Sequence, residues 1–342
     1  MTQNPTITTR LTEMFGIRHP IICGSMMWLG VPRVCEVLAD AGGLGTLTSA
    51  IYKTEDEYRA AVTEAKRRLD GRPYLVGVTI KPSATLNFDH YAMYLKVCLE
   101  ERVPGMEVSG VPLDAAFGPG AIDKLKRAGI KLFHKVGSLR HGQHAEKVGY
   151  DGVYAAGFEE AGHPLKDDVT TMVLTPRLSE ALSIPVVTVG GIADGRTMAA
   201  ALTLGASGVM MVTRFLATTD CAAIHDNFRR QFVEREAPDA MIVGKTTGMQ
   251  CRVLNNGVAR EIRQLESQGA TLETLLPLMS GQRNKRAWET GEVDHGMASI
   301  GQSLGLIHDI PSTAELLSRM TRDAQVSLAR VQARFNPATM PA

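Results

Sequence analysis

The sequence predicts an α/β fold, a (β/α)8 TIM barrel carrying a smaller, mostly helical cap. Three observations carry this reading. Eight short apolar runs follow one another within the first 215 residues, helical patterns separate them, and a glycine junction recurs where helix gives way to strand. The runs are 20–23, 44–47, 74–80, 105–108, 131–135, 152–155, 185–189 and 208–212. Helical spacing of apolar residues fills 55–69, 88–101, 122–128, 140–148, 172–182 and 195–204. The junctions are Ala41-Gly42-Gly43, Ala128-Gly129-Ile130 and Leu204-Gly205-Ala206, each with a glycine suited to end a helix. A doubly wound open sheet is the alternative topology.

The rhythm changes after Phe215. Helical patterns continue at 223–236, 258–268, 272–279 and 299–307, while 240–253 fits neither period. The division expected is a barrel over 1–215, a helical cap over 216–311, and a helix at 312–335 returning to the barrel. Residues 336–342 read as a frayed tail.

Composition excludes several classes. Lys and Arg number 37 against 36 Asp and Glu, so a net charge of +1 gives no field to recruit nucleic acid or an anionic membrane. Hydrophobic residues at 44% and charged residues at 21% describe a folded globular chain. No run approaches the roughly 18 apolar residues of a membrane span. Five cysteines without a CxxC read as free thiols, and the start lacks an apolar signal core, so the expected location is the cytoplasm. Oligomeric state is left open, a homodimer among the options.

Chemistry concentrates after the later strands. Val189-Gly-Gly-Ile-Ala-Asp-Gly195 and Val212-Thr-Arg-Phe215 follow the seventh and eighth runs, where barrels commonly bind phosphate. Gly190 and Gly191 let backbone N–H groups approach the anion, Val212 and Thr213 open a helix toward it, and Arg214 serves either phosphate or scaffold. The glycine-rich 157–164 loop puts His163, a residue suited to acid–base work, on the catalytic rim. Glu159 and Glu160 read as a solvated pair unless one enters the site, and Asp167 and Asp168 as helix caps. Lys135 ends the fifth strand, where it balances an anion, forms a Schiff base, or snorkels at the rim. His134, His141 and His144 lack the companions of a metal ligand field, so no metal is expected. The basic 282–286 cluster reads as a solvated helix face. Neither a Rossmann fingerprint nor a P-loop is present.

Gly24-Ser-Met-Met-Trp28, Ala41-Gly-Gly-Leu-Gly45, Phe158-Glu-Glu-Ala-Gly-His-Pro164, Gly190-Gly-Ile-Ala-Asp-Gly195 and Thr213-Arg-Phe215 together resemble the nitronate monooxygenase, or 2-nitropropane dioxygenase, family. That family includes an NAD(P)H:quinone reductase branch and flavin-dependent enoyl-ACP reductases. Order and spacing match over 10–215, and Ser280-Gly-Gln-Arg283 through 307 resembles the family's C-terminal part. The resemblance implies FMN across the strand ends, its phosphate on Gly190, Gly191, Val212 and Thr213. Gly24, Ser25, Met26 and Thr79 would border the ring, with Lys135 at its pyrimidine end. Ala161 and His163 would line the substrate side, with His163 catalytic. Ser25 and Met27, Thr79 and Val212 depart from the residues usual in the family.

The implied activity is oxidation of small nitronates by dioxygen. The alternative is NAD(P)H-driven reduction of quinones or enoyl thioesters, with the 81–89 loop covering a nicotinamide. A flavin-free lyase using Lys135, and a binding protein without turnover, are the readings from other classes.

Overall fold

The computed structural model describes residues 6–335 apart from 82, 84 and 166; the 336–342 tail of the sequence reading lies outside these. Eight strands form the barrel: β1 (Ile21–Cys23), β2 (Leu44–Thr48), β3 (Leu75–Ile80), β4 (Gly105–Gly110), β5 (Lys131–Val136), β6 (Gly152–Ala156), β7 (Val186–Val189) and β8 (Gly208–Met211). Each pairs parallel with the next, and β8 closes on β1 through Ile22 opposite Met210. All eight expected strands are present, their ends within two residues of the apolar runs.

The barrel helices are α1 (Arg10–Phe15), α2 (Pro32–Ala41), α3 (Glu55–Leu69), α4 (Phe88–Glu101), α5 (Leu113–Phe117), α6 (Ala121–Arg127), α7 (Leu139–Val148), α8 (Thr171–Ala181) and α9 (Gly195–Thr203). After β8 come α10 (Thr213–Leu216), α11 (Asp226–Glu234), β9 (Ala240–Val243), β10 (Cys251–Leu254), α12 (Gly257–Ser267), α13 (Leu272–Leu275), α14 (Gly281–Thr290) and α15 (Thr313–Gln332). The three junction glycines, Gly42, Gly129 and Gly205, all sit at positive φ, between 85° and 94°. A left-handed residue there turns the chain from helix into strand, and glycine does so without steric cost.

Alternation along the strands fills the barrel. Ile22, Leu44, Leu75, Phe133, Tyr154, Val187 and Met210 meet inside it, and Leu11 and Phe15 of α1 plug its lower end. Helix α15 packs across α9 and α2. The approach is close: a Cβ on Gly195 would stand 2.6 Å from the Met320 carbonyl oxygen.

Two local expectations change. The 240–253 stretch is an antiparallel ribbon, with Cys251 opposite Val243. Its two strands satisfy each other across the pair, Val243 facing Cys251 and Val253 facing Met241, which no single-segment period reveals. In place of the expected 299–307 helix there is a short 3-10 turn, Gln302–Leu306, with Ile300 before it and Leu304 within it buried in the core.

Candidate active site

Two unlike half-sites face each other across the C-terminal mouth of the barrel. The first is made of backbone. Gly190 and Gly191 follow β7 at φ 101° and 72°. A Cβ on Gly190 would press on the Glu160 amide nitrogen at 2.9 Å, whereas one on Gly191 would meet nothing nearer than the Thr171 Oγ1 at 3.5 Å. Gly191 therefore borders open space. Among the described residues, neither the Gly191 N–H nor the Thr213 N–H at the start of α10 donates to a protein acceptor. Adjacent free donors with room before them fit a phosphate group. Val212 keeps a negative φ of −128°, so a side chain there leaves the backbone geometry unstrained.

Other loop residues are committed to the scaffold. Thr213 Oγ1 accepts from the Gly301 N–H at 2.9 Å. Arg214 is buried, bonded to Asp309 at 2.6 Å and to the carbonyls of Ala217 and Asp309, and Asp309 reaches on to Arg319 of α15. That settles Arg214 as a scaffold residue. Gly24 lies close to β8: a Cβ there would stand 2.8 Å from the Met210 sulfur, which would have to shift. The Met26 side chain is buried with Leu38 and Phe215, which anchors the loop after β1.

The second half-site is made of side chains from β4, β5 and the loops after β3 and β6. Lys135 places its Nζ 3.0 and 3.2 Å from the two carboxylate oxygens of Glu160. Glu160 is thus buried and paired, not the solvated residue expected; burial pushes its carboxyl up while Lys135 pulls it down. Its neighbour Glu159 turns away and accepts from the Thr171 N–H at the start of α8.

His163 is held at both ring nitrogens. Lys81 is only a donor, so its Nζ gives a hydrogen bond to Nε2 at 2.7 Å. The Gln250 carbonyl only accepts, so Nδ1–H donates to it at 2.8 Å. The ring faces the mouth, yet the crowding of protein around it, then the Lys81 ammonium, lowers its pKa to about 4. A protonated His163 is therefore disfavoured, and the cation of the pair is Lys81.

The ribbon fixes this loop. Gly162 and Arg252 exchange backbone hydrogen bonds of 3.2 and 2.5 Å. The Arg252 guanidinium donates to the Phe158 carbonyl at 2.9 Å and lies 4.5 Å above that ring. Gln250 Nε2 donates to the Pro164 carbonyl at 2.7 Å.

Inside the barrel, Ser25 Oγ stands 3.5 Å from a carboxylate oxygen of Glu107 on β4. Gly77 makes the room, since a Cβ there would overlap the Ser25 hydroxyl at 1.7 Å. Burial pushes Glu107 up to about 7, opposed by Lys135 and by hydrogen bonds from Ser25.

Lys81, Glu107, Gln250 and Arg252 escaped the sequence reading as individual residues. Glu107 did leave a signal: it is the one charged residue within the apolar 105–108 run. The remaining candidates behave as scaffold. His134 is buried, bonded to the Val108 carbonyl at 3.1 Å and stacked on Tyr150. His144 pairs with Asp114 at 3.0 Å. No metal-holding group of side chains occurs among the described residues. Lys285 of the basic cluster reaches Glu289 on its own helix at 3.2 Å.

The family model for nitronate monooxygenase matches residues 8–323. A Rhodococcus jostii (strain RHA1) relative named (3aS,4S,5R,7aS)-5-hydroxy-7a-methyl-1-oxo-octahydro-1H-indene-4-carboxyl-CoA dehydrogenase is 30% identical, spanning 93% of this chain and 96% of its own. A probable nitronate monooxygenase of Staphylococcus saprophyticus is 29% identical over 95% of this chain and 99% of its own. Among solved structures, FabK from Thermotoga maritima superimposes with a TM-score of 0.87 at 31% identity, covering 96% of this chain and all of the other.

Proposed function

The chain belongs to the nitronate monooxygenase family of flavin-dependent oxidoreductases, and from that premise we propose that it uses FMN to oxidise small nitronates, substrates that arrive already ionised. The observation carrying this reading is the Lys81–His163 contact at 2.7 Å. It gives the mouth a cation and leaves no free general base, because both imidazole nitrogens are engaged. A nitronate needs its charge held and needs no proton removed. Lys81 orients the anionic oxygens, and His163 holds Lys81.

FMN in place of FAD is supported by a single phosphate cradle, Gly191 and Thr213, without a second dinucleotide fingerprint. When bound, the flavin supplies the electron transfer and the reaction with dioxygen. Lys135 and Glu160 would present a neutralised ion pair to the bound flavin. That bidentate contact commits the Lys135 Nζ to Glu160 and not to a substrate carbonyl, which argues against the Schiff-base lyase. Residues 216–311 act as the cap, with β10 bracing the 158–164 loop from above.

A second reading, oxidoreduction of acyl thioesters with NAD(P)H, is favoured by the 30% identity to the CoA-ester dehydrogenase. Lys81 would then hold a thioester carbonyl oxygen. Anaerobic mixing of the flavin-loaded protein separates the two. Rapid flavin bleaching by a nitronate, and slow bleaching by the parent nitroalkane and by NADH or NADPH, is expected. Fast bleaching by a reduced nicotinamide and none by the nitronate would replace the first reading with the second.

A further inference from the structure

Below the mouth, one ammonium faces two buried carboxyls. Lys135 is four-fifths buried and directs its hydrogen bonds to Glu160. Glu107 faces the same ammonium from β4 but is not bonded to it. Cys23 of β1 and Tyr154 of β6, both neutral, complete its titratable surroundings. Gly77 of β3 brings no side chain. Arg252 adds positive charge on the Glu160 side only, favouring the ionised form of Glu160 and not acting on Glu107. Among the described residues, buried Glu107 has no ion pair, and its hydrogen-bond partner is the Ser25 hydroxyl at 3.5 Å, so its ionised form is poorly compensated. Glu160 owns the hydrogen bonds, which leaves the proton to Glu107.

We propose that Glu107 is a positioning residue that stores one exchangeable proton beneath the cofactor site, and that its ionisation sets the charge felt there. The inference rests on the flavin reading above for its consequence, though not for the proton itself. Burial holds the carboxyl near neutrality, at about 7, so the store empties and fills within the working pH range of an ordinary cell. Ionised Glu107 adds negative charge under a site that takes up electrons and binds anions. Both are then disfavoured. Ser25 is the partner of the ionised form, since its hydroxyl donates to the carboxylate.

The test is the reduction potential of the bound flavin as a function of pH, in the parent and in Glu107→Gln. The amide has the shape of the protonated acid and cannot ionise. In the parent, the potential is expected to fall more steeply as pH rises through neutrality. Glu107→Gln is expected to lack that break and to keep the parent's low-pH value. The same break in both proteins would overturn the proposal. Should Glu107→Gln fail to fold, Ser25→Gly serves instead: loss of the donor moves the break to higher pH, and an unmoved break counts against the idea. The carboxylic C=O stretch of glutamate-labelled parent protein gives a readout independent of flavin. A protonated buried acid present in mild acid and lost in mild alkali supports the store. Its absence throughout, or its persistence throughout, refutes it. A chain that binds no flavin yet shows this titration would sink the proposed function alone.

Discussion

The two sides of the barrel mouth are built on opposite principles. On the β7–β8 side the useful groups are backbone N–H donors, and glycines at positive φ expose them. On the β3–β6 side the useful groups are polar side chains gathered from β4, β5 and the loops after β3 and β6, and paired within hydrogen-bond distance. A backbone cradle is local, so a few consecutive residues make it. A side-chain cluster is made by the closure of the barrel. The first suits a ligand part that never changes, such as a phosphate. The second suits the part where charge moves, because side chains can be tuned by burial and by one another.

Breaking the cradle is expected to have the widest effect, because cofactor and activity are lost together. Gly191→Val puts a β-branched residue at a φ of 72° and fills the space before the free N–H. Such strain costs about 1–3 kcal/mol, and flavin affinity should fall about tenfold to a hundredfold or more while the fold persists. The flavin-to-protein ratio after purification, beside the circular dichroism spectrum, checks this. A variant that stays fully loaded would show that the cradle lies elsewhere.

Breaking the side-chain half should spare flavin content and lower turnover. Lys81→Met removes the cation and is expected to reduce kcat/KM for a nitronate by about 10²–10³, the usual loss for one electrostatic donor. His163→Ala leaves the cation but frees it, so a smaller loss is expected, about tenfold to 10². If His163→Ala proves the more damaging variant, the imidazole and not the ammonium is the group that meets substrate. In neither variant should the melting temperature change much, because both side chains lie at the mouth.

The smallest effect concerns stability. His19, His134 and His163 all have pKa values lowered from 6.5 to about 4 by loss of hydration. The unfolded chain therefore binds more protons than the native one between these values. Stability contributed by the neutral rings is present above about 6.5 and is lost as pH falls toward 4. The buried pair, His19 and His134, carries most of this; His163 contributes less because solvent reaches it. The melting temperature should fall between pH 7 and pH 5, and His134→Gln should flatten the slope. An unchanged slope would mean that other groups dominate acid unfolding.

What the sequence made legible follows the same division. Eight runs and three junction glycines were enough for the barrel, because a strand's burial and a helix's stop are local properties. The Gly190-Gly191 turn at positive φ was legible for the same reason. Lys81 and Lys135 stand 54 positions apart, and Glu107 is isolated from both in the chain, so only the ring of strands brings them together. Glu160 read as solvated because adjacent glutamates usually are; here Gly157 and the ribbon turn one inward and the other onto α8. The ribbon itself was missed because β9 and β10 satisfy each other across seven intervening residues, 244–250.

The most direct test of the two-sided mouth is the flavin itself. The protein is purified without added cofactor, denatured, and the released flavin chromatographed, for the parent and for Gly191→Val in parallel. FMN close to one per chain in the parent, and a clear deficit in the variant, is the expected result. FAD as the main species, or equal FMN in both proteins, would contradict the assignment of Gly191 and Thr213 to a single phosphate.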